Sequence, residues 1–140
     1  MKMRGAFIIF ILPVLLFGIS ELLPAQGAND LDLQTRITYQ EKLERIYWQN
    51  RIWPKENSQP KPSFNQTIST GQIRKKVEDY LKKTSALRQF WNIGVSGERL
   101  QSELNRISRT TKNPKLLKQL FTALNNDPEI ICEILIRPLV

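Results

Sequence analysis

The sequence predicts an all-α fold, a small bundle of about five helices with one long central helix, preceded by a signal peptide. Three observations predict it. Apolar residues recur at helical spacing over most of the chain, while the period-two alternation of strands is almost missing. Ser, Thr, Asn and Asp stand just before those periodic runs, where their side chains can satisfy the free N–H groups of a first helical turn. Two of these caps, Asn113 and Asp127, are followed by proline, whose missing N–H is harmless at the first helical position.

Residues 1–27 stand apart from the bundle. MKMR supplies a positive start, AFIIFILPVLLFGI an apolar run of 14, and Ala25-Gln26-Gly27 small residues spaced for cleavage, so the mature chain is expected to begin at Ala28. An uncleaved membrane anchor is the competing reading. It needs about 20 apolar residues, and Ser20 and Glu21 interrupt the run before that. The expected product is secreted or periplasmic, with no permanent membrane span once the signal is cleaved.

The remaining elements follow in order. Thr38-Tyr39-Gln40-Glu41 fits a capping box, which predicts a helix over residues 39–52 with Tyr39, Leu43, Ile46 and Tyr47 on one face. Trp53-Pro54 stops it, because a residue before proline is pushed out of the α region. Residues 54–67 carry three prolines and Phe64 as their one sizeable apolar residue, and read as an extended, polyproline-like connector. Ser69 with Gln72 forms a second capping box and opens the long amphipathic helix, residues 70–91, with Ile73, Val77, Tyr80, Leu81, Leu87 and Trp91 in helical rhythm. Asn92-Ile93-Gly94 breaks it. Ser96 then caps a helix over residues 97–108, with Val95 placed to pack on Leu100. Asn113 and Asp127 start the last two helices, over residues 114–124 and from 128 onward, joined by the Asn125-Asn126 turn. Helices of about 10 residues are marginal alone, so the short ones are expected to pack on the long one, against Tyr80, Phe90 and Trp91.

Charge and residue types narrow the chemistry. The formal net charge is +8, and about +7 once Lys2, Arg4 and Glu21 leave with the signal peptide. Such a surface suits anionic headgroups, acidic polymers or acidic polypeptides, and export disfavours nucleic acid. With no histidine and one cysteine, this chain alone cannot build Ser-His or Cys-His nucleophiles, histidine metal sites or four-cysteine zinc sites. Glu129 and Glu133 stand one helical turn apart, the spacing of a glycosidase-like or metal-binding carboxylate pair, but acids near a helix start favour the macrodipole and need no function. Cys132 reads either as a buried thiol among apolar neighbours or as a partner for another chain.

Residues 91–124, WNIGVSGERLQSELNRISRTTKNPKLLKQLFTAL, resemble the N-terminal chaperone domain of SurA-type, parvulin-associated secreted chaperones. In that family a long helix ends in a small-residue turn, a Val-Ser-like cap starts the next helix, and a Leu-rich helix completes a small bundle. The resemblance spans residues 70–135 and implies a SurA-like helical domain within residues 28–140. The family's opening strand has no counterpart in ANDLDLQTRITYQEK, and the paired histidines of its isomerase domain are missing. It therefore implies binding without catalysis.

The resulting expectation is an extracytoplasmic, chaperone-like peptide-binding module, not an enzyme, with no cofactor, metal or catalytic residue and with unfolded or extended polypeptide segments as partners. Trp48, Trp53, Tyr80 and Trp91 are the candidate contacts, because Trp and Tyr dominate binding hot spots. The alternative for the tryptophan-rich stretch is closure of one end of the core. The alternative for the whole chain is a helical docking or structural segment of a larger secreted protein.

Overall fold

The computed structural model describes residues 31–140. The segment read as a signal peptide, residues 1–27, and the expected start at Ala28 lie outside the described residues. Among the described residues there are six α-helices and no strand: α1 (Leu33–Asn50), α2 (Phe64–Thr67), α3 (Thr70–Trp91), α4 (Gly97–Thr110), α5 (Pro114–Ala123) and α6 (Pro128–Ile130). Helix α6 runs directly into a π-helical segment, Ile131–Ile136, and a final 3-10 turn, Arg137–Leu139.

Helix α1 begins six residues earlier than the Thr38 capping box predicts. Asp32 is the N-cap, its carboxylate accepting from the Thr35 N–H at 2.7 Å and from the Thr35 hydroxyl at 3.1 Å. Thr38 lies inside the helix instead, and its hydroxyl donates to the Gln34 carbonyl at 3.0 Å. The early start has a packing reason. It brings Leu33, Arg36 and Ile37 into the helix, and these reach buried or half-buried positions.

Helix α1 is buried on two opposite sides. At about 100° per residue, Leu33, Ile37 and Trp48 fall on one side and Tyr39, Leu43 and Ile46 roughly on the other. The first set joins a cluster with Phe64, Ile73 and Val77; the second joins Leu100, Leu120, Leu124, Ile131, Ile134 and Ile136. The central element is therefore α1, with α3 on one side and α5 and the π segment on the other. This corrects the expectation that the long helix occupies the centre. The short helices pack mainly on α1 and on one another rather than on Phe90 and Trp91.

The proline-rich connector is tied down more than an extended spacer would be. Phe64 is buried at the start of α2, whose cap is a Ser63–Gln66 box. The Lys61 ammonium donates to the Trp48 and Arg51 carbonyls at 2.6 and 2.8 Å, a cation placed on the free carbonyls at the end of α1. Helix α3 opens as its sequence predicts, with the Ser69 N–H donating to Gln72 at 2.7 Å and the Gln72 N–H donating back at 3.2 Å. It ends at Asn92, which takes a left-handed conformation at φ 52°. Asn125 and Asn126 do the same after α5, at φ 60° and 54°. Asparagine tolerates this region because its short amide can bond locally, and no described glycine is used for it.

The last helix departs from the expected α geometry after Ile130. The Arg137 N–H donates to the Cys132 carbonyl, an i to i+5 bond, which brings Ile131 and Ile136 onto one side. Ile131, Glu133, Ile134 and Ile136 are buried as a result.

Candidate functional site

Among the described residues, the buried side chains of α3 lie in its first half. Ile73 and Val77 are buried against α1, and Tyr80 and Leu81 pack partly on the same cluster. Beyond them the helix carries large apolar side chains into solvent: Leu87 is 40% exposed, Phe90 71%, Trp91 64%, and Ile93 just past the end 47%. Phe90 and Trp91 meet edge to face, ring centres 6.0 Å apart at 76°. Contiguous exposed apolar groups of this kind mark interaction surfaces more often than isolated ones do.

Between this half of α3, the start of α4 and the π segment lies an open cleft of about 640 Å³. Thr84, Ser85 and Arg88 form its α3 wall, and Ile93 and Val95 its corner. Leu100 and Gln101 of α4 face Cys132, Glu133 and Arg137 of the π segment. Arg88 is exposed and has neither hydrogen bond nor ion pair among the described residues.

The cleft wall is anchored by a buried charge network. Glu133 accepts from the Arg137 Nε at 2.9 Å and pairs with the Arg137 guanidinium. It also pairs with the Arg36 Nη2 at 3.4 Å. Arg36 donates further to the Leu31 carbonyl and the Tyr80 hydroxyl, each at 2.9 Å. No buried side-chain polar atom among the described residues lacks a partner. The network ties α1, α3 and the π segment together, because desolvated charges must find partners in the folded chain.

Glu129 and Glu133 are thus not an equivalent pair: the first is exposed in the first turn of α6, and the second is committed to two arginines. Cys132 is a free, half-buried thiol packed against the larger core. Burial pushes its pKa up, the Glu133 carboxylate pushes the same way, and Arg137 opposes them. A thiol of this kind is a weak nucleophile. Among the described residues no three metal-capable side chains converge.

The four candidate contacts sit in four different surroundings. Trp48 is buried in the smaller core, 8% exposed, with the Lys61 ammonium 4.9 Å from its ring centre. Trp53 lies in the connector, its indole N–H donating to the Gln59 carbonyl at 3.0 Å. Tyr80 holds Arg36 through its hydroxyl. Trp91 is at the exposed corner, and none of the four lines the cleft. Phe90 and Ile93 were not candidates from sequence, although Phe90 precedes Trp91 on a helix whose lower half already uses its apolar face. Arg36 was missed too, and Glu133 is singled out in the sequence only beside Glu129, not as the partner of Arg36. The available signal was an arginine next to Ile37 in an otherwise apolar-periodic stretch.

Comparison with protein families, with characterised proteins and with solved structures finds no match to this chain.

Proposed function

We propose that this chain is a chaperone-like module, acting outside the cytoplasm and without catalysis, that binds extended polypeptide segments in the cleft between α3, α4 and the π segment. The observation that carries the reading is the cleft itself, about 640 Å³. That volume lies in the range of binding pockets, roughly 300–1,000 Å³. Ile93, Val95 and Leu100 offer apolar contacts to a client side chain, and Ser85, Gln101 and Arg88 offer hydrogen bonds to its backbone or acidic groups.

The test is suppression of aggregation of an unfolded client by the purified protein, followed by light scattering and tryptophan emission. Ser85→Arg places a long charged side chain in the cleft from an exposed position. Suppression by the wild type and its loss in a folded S85R protein are the expected results. A folded wild type that leaves scattering unchanged overturns the reading in favour of a docking or structural segment, which the exposed end of α3 equally supports.

A further inference from the structure

We propose a second surface, separate from the cleft: the corner between α3 and α4 docks on an anionic lipid surface, with Phe90 and Trp91 in the headgroup layer and Lys83 and Arg88 beside lipid phosphates. At about 100° per residue, Phe90, Leu87 and Trp91 form one stripe along the end of α3. Lys83 lies one turn below on the same stripe, and Arg88 borders it. Thr84 and Ser85 face the cleft instead, so the two surfaces are neighbours that share only Arg88 and Ile93.

Charge identifies the occupant. After Asp79, α3 contains Lys82, Lys83 and Arg88 and no acid, all three exposed. Unlike Arg74 and Lys76, which pair with Glu78 and Glu44, they have no partner among the described residues. Glu98 at the start of α4 is the next acid along the chain past the corner, and Arg99 follows it directly; Glu129 and Glu133 line the cleft that Arg88 also borders, the latter paired with Arg36 and Arg137. A net charge of +8 opposes apposition of two copies through this basic corner. Exposed Trp and Phe collared by cations match the needs of a bilayer interface, where aromatic rings rest at headgroup depth and each basic residue adds to the attraction. The lysine stem can lie along apolar surface while its ammonium reaches phosphate.

Binding of the purified protein to vesicles tests this, with phosphatidylcholine alone compared with phosphatidylcholine containing phosphatidylglycerol. Preference for the anionic vesicles, weakened by salt, is expected. A Phe90→Ser/Trp91→Ser double variant should lose at least about tenfold in affinity, and Lys83→Gln and Arg88→Gln about fivefold each. Lys82→Gln, about 80° round the helix from Phe90 on the side away from Trp91, should lose less than K83Q, and Ser85→Arg, which adds a cation beside Arg88, should bind anionic vesicles at least as tightly as the wild type. Four outcomes overturn the proposal: no vesicle binding, equal binding to both kinds, equal losses in K82Q and K83Q, or an intact F90S/W91S response. Loss of client binding in F90S/W91S without vesicle binding would assign the corner to polypeptide instead.

Discussion

Replacing Glu133 by alanine removes the carboxylate that holds two guanidinium groups inside the protein. The side chain of Glu133 is 5% exposed, that of Arg36 6% and that of Arg137 13%. After the change Arg36 keeps the Tyr80 hydroxyl and the Leu31 carbonyl, both neutral acceptors, and its charge is left without an opposite partner in the interior. Breaking a buried pair on one side costs roughly 3–5 kcal/mol. Against a total stability of about 5–15 kcal/mol for a domain of this size, that is a large share. With a urea slope of about 1–3 kcal/mol/M, the unfolding midpoint should fall by more than about 1 M, followed by far-ultraviolet circular dichroism. Glu133→Gln, which keeps one acceptor oxygen, should fall between. The Glu103–Arg106 pair across one helical turn, with a half-buried glutamate but an arginine side chain 61% exposed, provides the contrast, and Glu103→Ala, which leaves that arginine in water, should move the midpoint far less. Replacing both partners, Arg36→Met with Glu133→Leu, should recover much of the loss, because no stranded charge then remains. A midpoint in E133A no lower than in E103A would refute the argument that desolvated charge anchors the π segment.

Other expectations follow from the caps, the corner glycine and the thiol. Asp32→Ala should shorten α1 and lower helical content, whereas Thr38→Ala should not, because only Asp32 caps the first turn. The Asp32 carboxyl is held below its ordinary value of 3.8 by the Thr35 N–H and hydroxyl. Its contribution is therefore complete above that value and fades as the pH falls through the folded one, and Asp32→Asn should flatten that part of an acid titration of ellipticity. Gly97 opens α4 without a left-handed φ, and a Cβ there meets nothing within 4 Å. Gly97→Ala should stabilise by about 0.4–1 kcal/mol in urea unfolding, by reducing the freedom of the unfolded chain; destabilisation would contradict the open geometry. Cys132 should alkylate more slowly at neutral pH than a free cysteine peptide and accelerate only in the alkaline range, since burial and Glu133 both disfavour its thiolate.

Local signals were legible in the sequence and tertiary ones were not. The Ser69–Gln72 box, the Ser96, Asn113 and Asp127 caps and the Asn125-Asn126 turn depend on residues within one helical turn of each other, and each forms where its residues predict. Thr38 offered an equally good local motif and lost to Asp32, because burying Leu33 and Ile37 against α3 is a long-range effect that no capping pattern encodes. The centrality of α1 was hidden for a related reason. Apolar residues on opposite sides of a helix cancel in any one-face reading, so Ile37 and Trp48 were invisible beside the Tyr39, Leu43 and Ile46 stripe. The switch to π geometry at Ile131 likewise depends on partners brought from α1, and Arg36 is separated from Glu133 by 97 positions. The candidate site suffered most from this: aromatic residues close in sequence, Trp48 and Trp53, are divided between core and connector, and the exposed corner is built where α3 outruns the helix it packs on.

That overrun separates stability from binding and can be tested as such. Phe90 and Trp91 already have most of their surface in water, so removing them forfeits little burial. At about 25 cal/mol per Å² of apolar surface, the covered part of each residue, about 29% of Phe90 and 36% of Trp91, on side chains of roughly 200 and 250 Å², is worth at most about 1.5 and 2 kcal/mol respectively. Ile37 and Leu43 are 1% exposed, and truncating either to alanine should cost about 2–5 kcal/mol through lost burial and the cavity left behind. Phe90→Ser should therefore lose no more than about 1.5 kcal/mol and unfold near the wild-type urea midpoint, while Ile37→Ala and Leu43→Ala unfold earlier. A chain that spent these two aromatic rings on folding would show the reverse. If F90S/W91S lost more than about 4 kcal/mol, beyond the sum of both area estimates, the corner would be packing surface, and neither lipid nor client docking could be assigned to it on the strength of its exposure.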